Sequence, residues 1–415
     1  MSDRDRRGWI IVGAICVAMF FIWGAINSSA VFFVPVLKYF GWTRAKFSVA
    51  MSIGWVTGGA AGPLIGWLAD RVNPRKMIIV GATITGVLFI LLSRATTFED
   101  FLAINGVFGI SVGASTAIPC TIVIASWFEQ QRGLAIGIAF AAAPIGGAGM
   151  TPLANYIVTL AGWRAGYFAL GLPILIIVVP LVLLLVRPAN SGDNGGPAAA
   201  AETANAAPVQ LPGFELWQAT KTRSFWLICA VQLLVGSTLG MAPHYIAYLT
   251  GLGYSAAFAA TVLSMFLVMT TLGALLGGPF ADRAGARTAM LVTCILGALG
   301  AAGLMGASYA LGLALTILAA GFALGAYGVQ MPLVIIESLG VKRFGSLMGV
   351  TGIFYTLGAF ISPIVAGRIF DVTGSYESAI ASFVVMFTVS AIAVLGCRTR
   401  AGEEAQLTAS ASAAA

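Results

Sequence analysis

Apolar runs of roughly twenty residues, about the length a helix needs to cross a bilayer, follow one another along the whole of this 415-residue chain. Short breaks that hold most of the charge separate them. Charged residues make up only 9% of the sequence and hydrophobic ones 59%, and mean hydropathy is +0.96, whereas a soluble domain is about one quarter charged. The pattern is that of a chain that crosses a membrane many times. The runs read as spans over 9–37, 47–69, 77–95, 99–127, 133–158, 165–186, 224–249, 256–281, 289–308, 310–336, 345–370 and 376–396. Little length remains for a soluble catalytic domain. No nucleophile–base–oxyanion set accompanies the spans, so an enzyme is not expected.

The basic residues report topology. With the N-terminus placed inside, only Lys38, Arg44, Lys46, Arg94, Arg164 and Arg368 of the 22 Lys and Arg fall outside. That bias follows the positive-inside rule, and it requires an even number of spans with both termini cytoplasmic. A net charge of +7 spread between apolar runs does not form a nucleic-acid surface. The first run is longer than a signal-peptide core and has no convincing cleavage site after it, so it reads as a retained helix. Five cysteines without Cys-x-x-Cys spacing or a neighbouring His indicate neither disulfide nor metal. No cofactor is expected.

Composition divides the chain into a six-helix bundle over 1–187, a cytoplasmic linker rich in Pro, Ala, Gly and Asn over 188–220, a second six-helix bundle over 221–400, and a disordered Ala/Ser-rich tail over 401–415. The end of the linker, with Phe214, Trp217 and Phe225 among polar residues, suits the inner membrane interface.

The two halves repeat. Gly66-Trp-Leu-Ala-Asp-Arg-Val-Asn-Pro-Arg-Lys76 returns as Gly278-Pro-Phe-Ala-Asp-Arg-Ala-Gly-Ala-Arg-Thr288, and the offset that carries Asp70 onto Asp282 also carries Gly133 onto Gly345 and Gly137 onto Gly349. One offset at two separate places marks a duplicated unit. Both copies stand where an apolar run gives way to basic residues.

This doubled Gly-x-x-x-Asp-Arg-x-x-x-x-Arg pattern on twelve spans resembles the major facilitator superfamily of secondary transporters. The resemblance implies an all-α membrane protein of twelve transmembrane helices in two six-helix, pseudo-symmetric bundles that rock around a midplane site. It makes Gly66, Asp70, Arg71, Arg75, Gly278, Asp282, Arg283 and Arg287 elements of a conformational gate. The carboxylates would accept from helix N-termini or Arg, and the arginines would pair with carboxylates or carbonyls. The alternative for each Arg is that it only fixes topology.

Three further stretches, Trp127-Phe-Glu-Gln-Gln-Arg132-Gly-Leu-Ala-Ile-Gly137, Thr222-Arg-Ser-Phe-Trp226 and Pro243-His-Tyr-Ile-Ala-Tyr-Leu-Thr-Gly-Leu-Gly253, resemble the monocarboxylate-porter branch and its oxalate/formate-antiporter-like bacterial relatives. They add Arg132 to the gate set. That branch places an Arg after a Gly in span eight, eight positions before the motif Asp. Here Gly273 is followed by Ala274. Without that cation, the substrate is either an anion held by helix ends and hydroxyls or not a simple monocarboxylate.

Uncharged polar residues near the middle of spans are costly unless they meet partners or a wet cavity. Asn27, Gln232, Tyr327, Gln330 and Tyr355 are therefore substrate-site candidates, each with a helix-to-helix hydrogen bond as its alternative. His244, the sole histidine, suits a proton-sensitive outer gate or a bond to a neighbouring helix. The expected protein is a monomeric inner-membrane (plasma-membrane) transporter in the lipid bilayer that moves a small organic acid or similar metabolite, with a coupling proton as possible second cargo. Efflux of neutral apolar compounds and a non-transporting membrane sensor are the rival readings.

Overall fold

The structure, a computed structural model, describes residues 3–128, 130–187, 212–239 and 245–406, and these fold into helices with no strand among them. Ten helical stretches are long and apolar enough to cross a membrane. One of these, Arg132–Leu185, has 54 residues, about twice what a bilayer requires. It breaks at Gly162, whose φ of 82° and ψ of 169° a residue with a Cβ rarely adopts, and so it holds spans five and six. The shorter apolar helix Arg223–Ser237, resumed at Tyr245–Gly251, is span seven. The chain is an all-α membrane protein of twelve transmembrane helices.

The remaining spans are Asp3–Asn27 (one), Arg44–Ala69 (two), Pro74–Arg94 (three) and Phe98–Trp127 (four), then Ala256–Ala284 (eight), Ala286–Met305 (nine), Ala310–Leu339 (ten), Phe344–Thr373 (eleven) and Glu377–Gly396 (twelve). Two expected helices are interrupted. The α-helix of span one gives way to a 3₁₀ turn at Ser28–Phe32, where Ser28 Oγ donates back to Gly24 O at 2.7 Å, a bond that competes with the helical ladder. Span four breaks at Thr116, with φ −119° and ψ −112°, three residues before Pro119, whose ring would clash with the carbonyl four residues back.

The chain clusters into two compact units, Met1–Phe214 with Val341–Gly349, and Glu215–Gly340 with Val350–Ala415. Within the first, span two packs on span four and span three on spans four and six. A ring cluster of Phe32, Phe47, Phe101, Trp163 and Tyr167 fills one end, with Phe32 and Tyr167 stacked at 3.9 Å. Within the second, span eight packs on span ten, and span nine on spans ten and twelve. Its core includes Tyr245, Leu249, Leu304, Tyr376, Ile380 and Phe383. The same pairing in each unit is the structural form of the sequence repeat.

Large apolar side chains left exposed, such as Leu160, Leu184, Leu276, Ile364 and Ile392, are what a lipid-facing surface requires. Helices here associate through close packing instead of a hydrophobic drive. A Cβ on Gly109 would come 1.7 Å from Gly54 O, and one on Gly325 1.8 Å from Thr270 O, so backbones touch where spans two and four, and eight and ten, cross.

The composition assigns 401–415 to a disordered tail; residues 407–415 lie outside the described residues, and over 401–406 the structure differs. Residues 400–406 are helical and Glu403 is 1% exposed. A buried hydrogen bond across the fold orders a segment whose composition alone would leave it solvated.

Candidate functional site

Two polar sites stand out against the apolar background. The first lies at the basic end of span two. Asp70 is the residue at which this helix ends, its own N–H bonded to Gly66 O at 3.1 Å. Its carboxylate accepts from the N–H groups of Gly345 at 2.7 Å and Ser346 at 2.8 Å, and from the Ser346 hydroxyl. Gly345 and Ser346 open span eleven, where N–H groups have no intrahelical acceptor and the helix dipole favours negative charge. Asp70 thus caps span eleven, as expected of a carboxylate that meets a helix N-terminus.

Glycine makes the approach possible. A Cβ on Gly66 would sit 2.0 Å from Gly345 O, and one on Gly349 2.3 Å from Gly62 O. Ser346, which supplies two of the three bonds, escaped the sequence reading because its counterpart by the repeat offset is Leu134.

The motif arginines do varied work. Arg75 donates to the Leu183 carbonyl in the helix that ends span six. Arg71 lies over the Trp67 ring, 4.1 Å from its centroid, a cation–π contact. Arg132 Nε donates to Phe128 O at 2.7 Å. In the second copy, Gly278 is buried and Asp282 and Arg283 are exposed in the last turn of span eight. Arg287 is half-buried at the start of span nine.

Glu337, to which the sequence reading gave no role, accepts from Ala286 N at 2.8 Å and caps span nine. The stretches that carried the closer resemblance are largely structural. Trp127 Nε1 donates to Arg187 O at 2.6 Å, Thr222 caps span seven through Phe225 N, and Tyr248 donates to Leu304 O at 2.9 Å, as Tyr254, just after the third stretch, does to Ala307 O.

The second site joins three of the midspan candidates. Tyr327 of span ten, 6% exposed, donates its hydroxyl to Gln232 Oε1 of span seven. Its ring stacks on Tyr355 of span eleven at 5.8 Å and an interplanar angle of 16°. With Oε1 occupied, the Gln232 amide nitrogen is left as a donor, and so is the Tyr355 hydroxyl. The cluster carries no formal charge and presents donors, a set that can hold a hydroxyl, a carbonyl or a carboxylate oxygen.

Gln330 does not join it. This side chain is fully buried, its Oε1 accepting from Thr293 at 2.8 Å and its Nε2 donating to Gly277 O at 3.2 Å. It ties spans eight, nine and ten together, so the helix-to-helix alternative describes it. Asn27 belongs to the other unit; it is exposed at the end of the span-one helix, packed on Gly147, where a Cβ would come 2.9 Å from its Nδ2. His244 lies outside the described residues. Ala274, at the position of the resembled Arg, is 5% exposed and lies where spans eight and ten meet; a Cβ on Gly325 would come 2.8 Å from its N.

The helical repeat, the glycine seams and the helix-capping Asp70 fit a polytopic membrane transporter. The family model described as Major Facilitator Superfamily matches residues 14–363 and 246–413, and the chain belongs to that family. It is similar to the uncharacterized MFS-type transporter YcxA of Bacillus subtilis, 27% identical over 94% of this chain and 95% of that protein. Bovine monocarboxylate transporter 13 is 27% identical over 91% of this chain and 85% of its own. The probable sulfoacetate transporter SauU of Cupriavidus necator is also 27% identical, over 91% and 90%. Among solved structures, the human organic anion transporter MFSD10 aligns with a TM-score of 0.70 over 95% of this chain and all of that one, at 16% identity, a likeness of fold.

Proposed function

We propose that this protein is a secondary transporter of the plasma membrane, both termini cytoplasmic, that moves a small organic acid by alternating access. The observation that carries the gating part is the Asp70 carboxylate on the first turn of span eleven. Three donors meet one charged acceptor, and a charge-assisted bond contributes about 1.5–3 kcal/mol each. Such a contact holds one conformation firmly, yet it is made of polar groups that water can replace when the helices part.

The acid class rests on the relatives: their names include monocarboxylate and sulfoacetate transporters. The Gln232–Tyr327–Tyr355 cluster is the proposed substrate contact. With Ala274 in place of a buried Arg, the acid is bound by neutral donors, which favours a weakly held anion or one that enters with a proton. Asp282 of the second repeat is proposed as the partner gate, with Arg283 and Arg287 beside it.

The test is a ligand screen with purified protein followed by uptake into proteoliposomes. A ligand that binds only the folded protein raises its melting temperature by mass action. Lactate, pyruvate, oxalate and sulfoacetate are compared with neutral isosteres such as lactamide. Stabilisation and uptake confined to the acids support the reading. Stabilisation by the neutral compounds alone replaces it with transport of an uncharged cargo.

A further inference from the structure

Beyond the gate and the substrate cluster, one carboxylate among the described residues is fully buried: Glu403. The N–H of Ser224, second residue of the span-seven helix, is one of the donors a helix cannot satisfy internally, and Ser224 is fully buried. Glu403 Oε1 accepts from that N–H at 3.0 Å and also from the Ser224 hydroxyl. The Ser224 oxygen in turn accepts from Arg398 N at 2.8 Å. Arg398 reaches on to Gln406, and Arg400 pairs with Glu404 at 3.5 Å. The Arg223 guanidinium lies over Gly396, where a Cβ would come 3.1 Å from its Nη2. The chain after span twelve therefore wraps the start of span seven, held by polar bonds centred on one serine. A cavity of about 410 Å³ lined by Lys221, Arg223, Trp226, Gln406 and Glu403 itself opens beside it.

Span seven runs from this point to the substrate cluster. Gln232 lies eight residues on from Ser224, about 12 Å along the helix. Just beyond, a Cβ on Gly236 would come 2.2 Å from Tyr355 O, and the Ser362 hydroxyl donates to Ser237 O. The helix is thus fixed to span eleven at one end and to the C-terminal turn at the other. We propose that residues 400–406 form a strap and that Glu403, through Ser224, is a positioning residue that sets the place of Gln232 against Tyr327 and Tyr355. The proposal rests on the reading of that cluster as the substrate contact.

The experiment compares wild type with Glu403→Ala and Glu403→Gln in lipid. Hydrogen exchange is read over residues 223–237, and KM and Vmax are read for whichever acid the screen identifies. Glu403→Ala is expected to speed exchange throughout 223–237 by about tenfold or more, as a locally loosened element does, and to raise KM at least about threefold with the protein still inserted. Glu403→Gln keeps a carbonyl oxygen for Ser224 and is expected to stay within about twofold of wild type in both readings.

Unchanged exchange in Glu403→Ala overturns the strap. Faster exchange with unchanged KM overturns the positioning role. If wild type carries none of the acids, the transport reading fails separately; the exchange data still decide, because faster exchange that stops short of Gln232 excludes transmission along the helix.

Discussion

Asp70 and Glu403 do the same physical work at two different helices. Each carboxylate accepts a backbone N–H and a serine hydroxyl from a first helical turn, Asp70 at Gly345 and Ser346, Glu403 at Ser224. Their surroundings differ. Asp70 is half-buried beside a seam of glycines, while Glu403 is 1% exposed. Water at the rim can take over the donors of a half-buried cap as it opens, whereas a sealed cap leaves its partners unsatisfied if it breaks, at about 1–3 kcal/mol for each. The first arrangement suits the gate proposed for Asp70, which must open in every cycle, and the second suits the strap proposed at Glu403, which keeps a helix in place.

The largest expected effect comes from the seam. Gly66→Leu puts a side chain where the Gly345 carbonyl already stands, and overpacking that cannot relax disrupts the contact outright. Uptake should fall to background with the protein still detectable in the membrane; near-normal uptake would show that spans two and eleven do not meet this closely in the working cycle. Ala274→Arg should come next. A large cation forced into the span eight–ten contact is expected to lower the melting temperature and yield no gain in acid uptake, although the resemblance to monocarboxylate porters would have it improve binding. A tighter KM would restore that cation as the substrate partner.

Tyr327→Phe removes the donor to Gln232 and should raise KM about three- to tenfold, the effect of losing one buried hydrogen bond, with Vmax little changed. Gln232→Leu combined with it should cost less than the sum of the two, because the pair acts as a unit; additive losses would separate them. Glu337→Gln is the smallest. A neutral acceptor still reaches Ala286 N, and a change of no more than about twofold in rate is expected from a lost helix-end charge. A tenfold loss would promote Glu337 to the gate.

The fold was legible because lipid imposes it: helices must satisfy their own backbone, so apolar runs and basic breaks mark spans directly. Even the separation of spans five and six was readable, with the break falling at Gly162 between the runs 133–158 and 165–186. Asp70 was legible through duplication, which singles out a residue that composition would not. Its partner Ser346 was not, since Leu134 occupies the equivalent place in the first half.

Midspan polarity signals that a side chain needs a partner but not which face of the helix it occupies. Tyr327 and Gln330 are three residues apart on span ten, yet one turns to Gln232 and Tyr355 and the other to Thr293 and Gly277. Glu403 was illegible for a different reason. Its partner is 179 positions away, and no local pattern in an Ala/Ser-rich tail announces a tertiary contact.

The most direct measurement is initial-rate acid uptake by Asp70→Asn and Asp70→Ala in proteoliposomes with matched protein content. Asn keeps one acceptor oxygen and loses the charge, and Ala loses both. If Asp70 is the gate, uptake falls several-fold in Asn and at least about tenfold in Ala, in line with the loss of one or more charge-assisted bonds. Wild-type rates in both variants would contradict it and leave the carboxylate as a helix cap alone.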